Sequence, residues 1–154
     1  MQNITFGLAL ASAVMGGVFF TFSTFVMSAL GKLRPAEGIR AMQRINIDVF
    51  CWPFTMLFFG LPALLLAVAI YSGINHSWES TGYLMAASAA YWIGTFLLTI
   101  FGNVPLNNKL ARIDPDAKNS EAVWEHYLVY WVRWNHVRTL ASVVSSVLLL
   151  LALR

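Results

Sequence analysis

Three long stretches of this chain carry no charged side chain, and they constrain the fold more than any other feature. They run over residues 1–31, 49–78 and 80–108, and each exceeds the roughly 18 apolar residues that mark a transmembrane helix. The first lacks the basic start of a signal peptide and is too long for one, so it is predicted to be an uncleaved span. Only 11% of the residues are charged, against roughly 25% in an average soluble domain. We therefore expect an integral membrane protein whose main partner is the lipid bilayer.

A fourth span is predicted near the end of the sequence. Between Arg138 and Arg154 lie only fifteen residues, which are too few to cross about 30 Å of hydrocarbon. The helix must begin earlier, near Trp131 or Trp134, whose indoles suit the membrane interface. Three polar residues then fall at or inside the membrane boundary, namely Asn135, His136 and Arg138. The predicted fold is all-α, a single four-helix transmembrane bundle with spans at about 4–30, 49–71, 82–104 and 132–153.

The two longer connections are predicted to contain amphipathic helices. In the first, Pro35 suits a helix start, and apolar residues then recur at steps of three or four: Ile39, Met42, Ile45 and Val49. In the second, Asn119 or Ser120 caps a helix that continues into the fourth span. Both connections are rich in Lys and Arg, whereas the one at 72–82 has neither. The positive-inside rule therefore places both basic loops in the cytoplasm and the termini outside.

Polar side chains from all four spans fall at one depth near the predicted cytoplasmic side. They are Ser23 and Thr24 in span one, Asn46 and Asp48 at the start of span two, Asn103 and Asn107 in span three, and Asn135, His136 and Arg138 in span four. Helical phase groups two stripes, one of Tyr91, Thr95, Thr99 and Asn103, the other of Asn135, Arg138, Ser142 and Ser145. The stripes either line a cavity or bond their own backbone carbonyls and pack helix on helix. We expect one polar pocket near the cytoplasmic side.

Arg138 and His136 are the two residues in this set that are best suited to bind a ligand or take part in a reaction. Arg138 is expected to pair with Asp48, the opposite charge at similar depth, and so fix the register of the bundle. Alternatively, Arg138 holds an anionic or phenolic group of a ligand. His136 is a general base, a ligand of haem or a metal, or a structural residue bonded to a carbonyl. No pair of His, Cys or carboxylate residues has metal-ligand spacing, so no metal or cofactor is expected.

Two further features bear on the predicted pocket. Pro105 interrupts the hydrogen bonding of span three, so residues 103–108 form either a capped helix end or a broken helix that lines a site. Aromatic residues, Trp134 among them, either wall a small-molecule pocket or are ordinary membrane filling.

Three segments of the chain resemble a known family of four-span membrane proteins. They are residues 17–27 (GVFFTFSTFVM), 103–107 (NVPLN) and 131–139 (WVRWNHVRT). The family occurs in bacteria and includes the fungal anthrone oxygenases, which oxidise an anthrone to an anthraquinone with O₂. The resemblance implies a bacterial inner-membrane protein that acts without a cofactor on a lipophilic phenolic substrate. It implies His136 as the base, with Arg138, Asn103 and Asn135 as oxyanion donors. The remaining pocket residues would be Asn107, Asp48, Asn46, Ser23 and Trp134.

A second hypothesis is a membrane protein without catalytic activity, which binds a ligand, assists assembly or transports a small solute. Transport by so few spans would call for a homo-oligomer. The net charge of +3 follows from the basic loops and implies no nucleic-acid partner. Under the oxygenase hypothesis the partners are a lipophilic aromatic molecule and O₂, and the imidazole of His136 lies close to the asparagines of span three.

Overall fold

Four long apolar helices form the body of the protein. The computed structural model describes residues 1–75 and 78–154, so residues 76–77 in the predicted outer connection lie outside the described part. Each helix is long enough to cross a membrane, and we call them spans one to four: Gln2–Leu30, Trp52–Asn75, Ser80–Ala111 and Ser120–Leu151. A shorter helix, Pro35–Asp48, is called the surface helix. The predicted all-α, four-span membrane fold is confirmed.

The predicted helices in both basic connections are present. Span four begins at Ser120 and continues to Leu151 without a break. The helix predicted between spans three and four and the predicted fourth span are therefore one continuous helix. The surface helix has Pro35 in its first turn. At that end the Arg34 guanidinium donates a hydrogen bond to Glu37, and this bond lowers the pKa of the Glu37 carboxyl below its usual value.

The surface helix is fixed to the ends of spans three and four. The Gln43 amide nitrogen donates to the carbonyls of Leu110, at 2.9 Å, and Ile113, at 3.1 Å. A Cβ at Gly38 would lie 2.7 Å from the ring of Trp124, so the close approach to span four requires glycine at this position. The surface helix is therefore a fixed wall of the bundle.

Span four is the central helix against which the others pack. Span one lies along it, and the Ser146 hydroxyl donates to the carbonyl of Ala9 at 2.9 Å. Span three approaches from another side, where a Cβ at Gly94 would lie 2.5 Å from the Cβ of Ala141. Such close approaches by small residues are typical of helix packing in membranes.

Wide π-helical turns interrupt spans one and three. They cover Phe22–Val26 in span one and Trp92–Leu97 and Thr99–Asn103 in span three. The last precedes Pro105, which cannot donate a backbone hydrogen bond and would clash with the carbonyl of Phe101 in a regular α-helix. The helix resumes over Val104–Ala111, so the alternative of a capped helix end at residues 103–108 is wrong.

The π-turns also keep one face of span three turned inward. In a regular α-helix, residues four apart drift by about 40° per step, and three such steps would rotate Asn103 well away from Tyr91. A π-turn holds more residues and removes part of this drift. Tyr91, Thr95 and Asn103 are consequently all buried at 0–1% exposure.

Span two contacts span three mainly along the half that is farther from the basic connections. There the Trp92 indole donates to the carbonyl of Pro62 at 2.9 Å, and the hydroxyls of Ser72 and Thr81 share a hydrogen bond of 2.8 Å. In the other half, the surface helix and the beginning of span two make few close contacts, and a space remains among the spans and the surface helix.

Candidate functional site

A cavity of about 170 Å³ occupies the space at the end of the bundle that carries the basic connections. Its walls are largely aromatic, with side chains from spans one, two and four and from the turn before span two: Phe19, Phe22, Phe50, Phe54, Phe58, Phe59 and Trp131. A few polar side chains also line it, namely Asn46, Thr99, Asn107 and Arg138. Aromatic walls with a small number of placed polar groups are the usual composition of a small-molecule site.

Arg138 is the charged group of this cavity, and it is held from several sides. Its side chain is buried, at 5% exposure. One terminal nitrogen donates to the Thr99 hydroxyl at 3.2 Å, and the other donates to the Asn135 side-chain oxygen. The guanidinium lies over two aromatic rings, 4.4 Å from the centroid of Phe19 and 5.2 Å from that of Trp131. Cation–π contact of this kind stabilises a desolvated arginine.

The predicted ion pair between Asp48 and Arg138 is wrong. Asp48 instead accepts a hydrogen bond of 2.7 Å from Arg44, one helical turn earlier, and both side chains are more than half exposed. Asp48 lies on the exposed side of the surface helix. Within residues 1–75 and 80–154, Arg138 makes no salt bridge to a carboxylate.

The guanidinium of Arg138 retains hydrogen-bonding capacity. Arginine has five N–H donors, and Thr99 and Asn135 accept two of them. The Nε atom is buried without a partner among the residues that the structure describes. A charge inside a membrane costs up to about 2.5–3.5 kcal/mol at mid-depth and less near the edge. An anionic group in the cavity would offset this cost and accept the remaining hydrogen bonds.

Asn135 positions Arg138 and joins span four to span one. Its amide nitrogen donates to the carbonyl of Phe19 and to the hydroxyl of Ser23, both at 2.7 Å. Ser23 also lies 3.3 Å from the hydroxyl of Thr139. Both amide hydrogens of Asn135 are thus used within the protein, and neither Asn135 nor Ser23 is among the residues that line the cavity.

The two asparagines of span three have different roles. The side-chain oxygen of Asn107 accepts hydrogen bonds from the Tyr127 hydroxyl, at 2.7 Å, and the Trp131 indole, at 2.8 Å. Asn107 therefore fixes one wall of the cavity. Asn103 is 1% exposed, and its amide nitrogen donates to the carbonyl of Trp131 at 3.2 Å. Asn103 is not among the residues that line the cavity, and its contact joins spans three and four.

His136 does not lie where its position in the sequence predicts. Its side chain is exposed, whereas its neighbour Asn135 is fully buried. Successive residues of an α-helix are about 100° apart, so His136 lies about 100° from Asn135 and about 200° from Arg138. The expected meeting of this imidazole with the asparagines of span three is wrong, because the helix turns it outward.

Trp134 and Asn46 complete the set of predicted pocket residues. Trp134 is 40% exposed and packs on Gly102, where an added Cβ would lie 3.1 Å from the indole; it does not line the cavity. Asn46 does line it, from the surface helix. Its amide nitrogen is buried and has no acceptor in the described part of the chain.

The two polar stripes predicted on spans three and four face each other. The hydroxyls of Thr95 and Ser142 share a hydrogen bond of 2.9 Å across the interface. Thr99 donates to the carbonyl of Thr95 at 2.7 Å. The stripes thus include both local backbone bonds and contacts between helices, and only Thr99 and Arg138 from them reach the cavity.

The aromatic contribution of span two was not identified from the sequence. Phe54 and Phe58 stack at 5.7 Å between centroids, and Phe58 also contacts Phe96. Their spacing of four residues is a signal for one helical face. In so apolar a segment, however, the same spacing occurs on faces that contact lipid.

Two recesses at the opposite end of the bundle are larger, at about 330 and 640 Å³. Exposed polar residues such as Asn75 and Arg154 line the first, and Arg154 also lines the second. The cavity at Arg138 is smaller, but it combines a buried cation with aromatic walls, and we take it as the candidate site.

Comparison with known proteins assigns the family. Residues 50–148, well over half of the chain, match the anthrone oxygenase family. The chain belongs to the anthrone oxygenase family. The matched region of this family member includes Asn107 and Arg138, while Phe19 and Ser23 lie before it. No curated protein and no solved structure matches the chain.

Proposed function

We propose that this family member is a cofactor-independent oxygenase that oxidises a lipophilic phenolic substrate of the anthrone type in the cavity beside Arg138. One observation carries the proposal: a buried guanidinium, without a salt bridge in the described part of the chain, faces an aromatic cavity. Family membership supports the same reaction class. A substrate that becomes an oxyanion during the reaction would supply the missing negative charge.

The proposed oxidation depends mainly on a site that stabilises a negatively charged oxygen of the substrate. An anthrone that loses a proton from the carbon opposite its carbonyl becomes a delocalised anion with charge on the oxygen. The free N–H donors of Arg138 would stabilise that oxygen. The anion passes one electron to O₂, and the resulting radical and superoxide combine to give a peroxide anion. This peroxide anion takes up one proton, which balances the one removed at the start, and then loses water that includes the remaining hydrogen of the same carbon. Overall, one anthrone and one O₂ give one anthraquinone and one water.

The aromatic walls strengthen this electrostatic effect. Phe19 and Trp131 cover the guanidinium and exclude water from it. A charge interaction is stronger in such a medium than in water. Among the described residues that line the cavity, Arg138 is the one side chain that is ordinarily charged, and no carboxylate or imidazole is present to accept a proton. We therefore assign the role of proton acceptor to water or hydroxide rather than to His136.

Oxygen consumption in proteoliposomes tests the proposal. A hydroxyanthrone is added, and O₂ uptake is compared with that of vesicles without protein. Arg138→Gln is expected to lower kcat/KM by about 100-fold, the typical effect of removing one oxyanion donor. Arg133→Gln is the matched control, because Arg133 is exposed on the same helix. Equal rates for wild type and Arg138→Gln, or a wild-type rate no higher than in empty vesicles, would overturn the proposal.

A second candidate function is the binding of a lipophilic anion without turnover, for assembly or transport. The observation that favours it is that, in the described part of the chain, no carboxylate or imidazole lines the cavity to act as a base. Binding of a hydroxyanthraquinone that depends on Arg138, combined with no O₂ uptake from hydroxyanthrones, would support this function. Turnover that depends on Arg138 would exclude it.

We further propose that the protein resides in a bacterial inner membrane with its basic connections in the cytoplasm, as the distribution of Lys and Arg favours. Single cysteines in a Cys51→Ser background test the orientation. A membrane-impermeant maleimide applied to intact cells should label Asn75→Cys and leave Asp116→Cys unlabelled. The reverse pattern would overturn the proposed orientation.

A further inference from the structure

The cavity has an exposed, apolar rim. Four apolar residues that line it are also exposed: Phe50 at 63%, Phe59 at 51%, Ile100 at 39% and Val104 at 36%. We call these four residues the mouth. Phe50 and Phe59 belong to the span-two side, and Ile100 and Val104 belong to span three. The cavity therefore extends from a buried cation to an opening between these two spans.

The packing of the spans explains why the opening lies there. Spans two and three are joined along their other half, by Trp92 to Pro62 and by Ser72 to Thr81. Near the mouth, span two makes few contacts with the π-turn Thr99–Asn103. The gap therefore results from the divergence of spans two and three toward this end of the bundle.

The surface around the mouth is apolar and exposed. Trp52 is 74% exposed, Met56 is 55% exposed and Phe101 is 75% exposed. In a bundle of four membrane spans, large exposed apolar side chains face hydrocarbon. The mouth therefore opens sideways, toward the acyl chains of lipids.

We propose that the ligand reaches Arg138 through the mouth directly from the bilayer. This inference rests on the proposed function, because it assumes that the cavity holds the substrate. The favoured ligand is a flat aromatic molecule with one polar oxygen edge, since such a molecule concentrates in the membrane. It would enter with its oxygen edge first, slide between Phe59 and Val104, and stop where Arg138 binds the oxygen. Ile100 and Phe50 then set the width of ligand that can pass.

The rate of binding tests the mouth separately from the reaction. The probe is 1,8-dihydroxyanthraquinone, which cannot undergo the proposed oxidation, and its absorbance is followed by stopped flow in proteoliposomes. Val104→Trp should slow association and dissociation by at least tenfold each, with little change in equilibrium affinity. Val144→Trp is the matched control, because Val144 has a similar exposure of 38% but does not line the cavity.

A second substitution works in the opposite direction and covers the case in which Val104→Trp fails to fold. Phe59→Ala should widen the mouth and accelerate association several-fold, whereas Phe6→Ala, at an exposed position outside the cavity, should not. Unchanged rates in both mouth variants, while Arg138→Gln still weakens binding, would overturn lateral access and leave the proposed site intact. Absence of probe binding by the wild type would overturn the site, and lateral access with it.

Discussion

Arg138 and Phe19 are linked twice. The guanidinium lies 4.4 Å from the centroid of the Phe19 ring, and it also donates to Asn135, whose amide donates in turn to the Phe19 carbonyl at 2.7 Å. These contacts form a closed ring between spans one and four. The cation is therefore held in place before any ligand binds, which reduces the cost of ordering the site.

We expect Asn135→Ala to weaken both the fold and the site. It removes hydrogen bonds to Phe19, Ser23 and Arg138, and loss of buried partners of this kind costs about 1–3 kcal/mol. The unfolding midpoint in detergent should fall, and probe affinity should decrease because Arg138 loses its support. Asn108→Ala is the matched control, since Asn108 is exposed. A variant with wild-type stability and affinity would contradict the role given to Asn135.

His136→Ala should retain wild-type turnover and affinity within about twofold. The reason is that its side chain lies on the exposed side of span four, away from Arg138. The measurement is O₂ uptake with a hydroxyanthrone across a range of pH. A loss of activity that approaches that of Arg138→Gln would show that His136 acts in the reaction after all.

Asn135 and His136 show how much of the candidate site can be predicted from the sequence. Depth along the membrane normal follows from distance to the charged ends, and it groups Ser23, Asn107 and Arg138; Asn107 and Arg138 line the cavity, and Ser23 contacts Asn135 beside it. Direction around the helix axis is harder to read, yet the phase that turns Asn135 and Arg138 inward already turns His136 away. That signal is present in the sequence, in the helical phase of these three residues.

Other features could not be obtained from sequence periodicity. The π-turns at Trp92–Leu97 and Thr99–Asn103 depend on how span three packs, and they alter the phase of every residue that follows. Asp48 lies at the expected end of the bundle, but the side of the surface helix that faces the cavity is fixed by tertiary contacts such as those of Gln43. The cavity walls from span two cannot be predicted from the sequence either, because the apolar residues of span two face both lipid and protein.

Gly94→Ala should destabilise the contact between spans three and four. An added methyl group would lie 2.5 Å from the Cβ of Ala141, and overpacking of this kind costs about 1–3 kcal/mol. Gly60→Ala is the matched control, because no heavy atom outside its own helix and chain neighbours lies within 4 Å of the added carbon. Thermal unfolding in detergent should show a lower midpoint for Gly94→Ala alone. Equal midpoints for the two variants would contradict the packing described.

Asp48→Asn should have little effect on stability. Its partner is Arg44, and the two side chains are 55% and 73% exposed, so the lost pair contributes no more than about 1 kcal/mol. The unfolding midpoint and the affinity for 1,8-dihydroxyanthraquinone should both stay near wild type. A large loss of stability would instead point to the interaction with Arg138 that the sequence suggested.

Ionisation of a bound probe tests the role of Arg138 most directly. The absorbance of 1,8-dihydroxyanthraquinone is titrated with pH in proteoliposomes of the wild type and of Arg138→Gln, and in vesicles without protein. A nearby cation favours the ionised form, so the midpoint for the wild type should lie below that in empty vesicles and should rise again in Arg138→Gln. Equal midpoints for bound probe in the two proteins would contradict the assignment of Arg138 as the oxyanion-binding group.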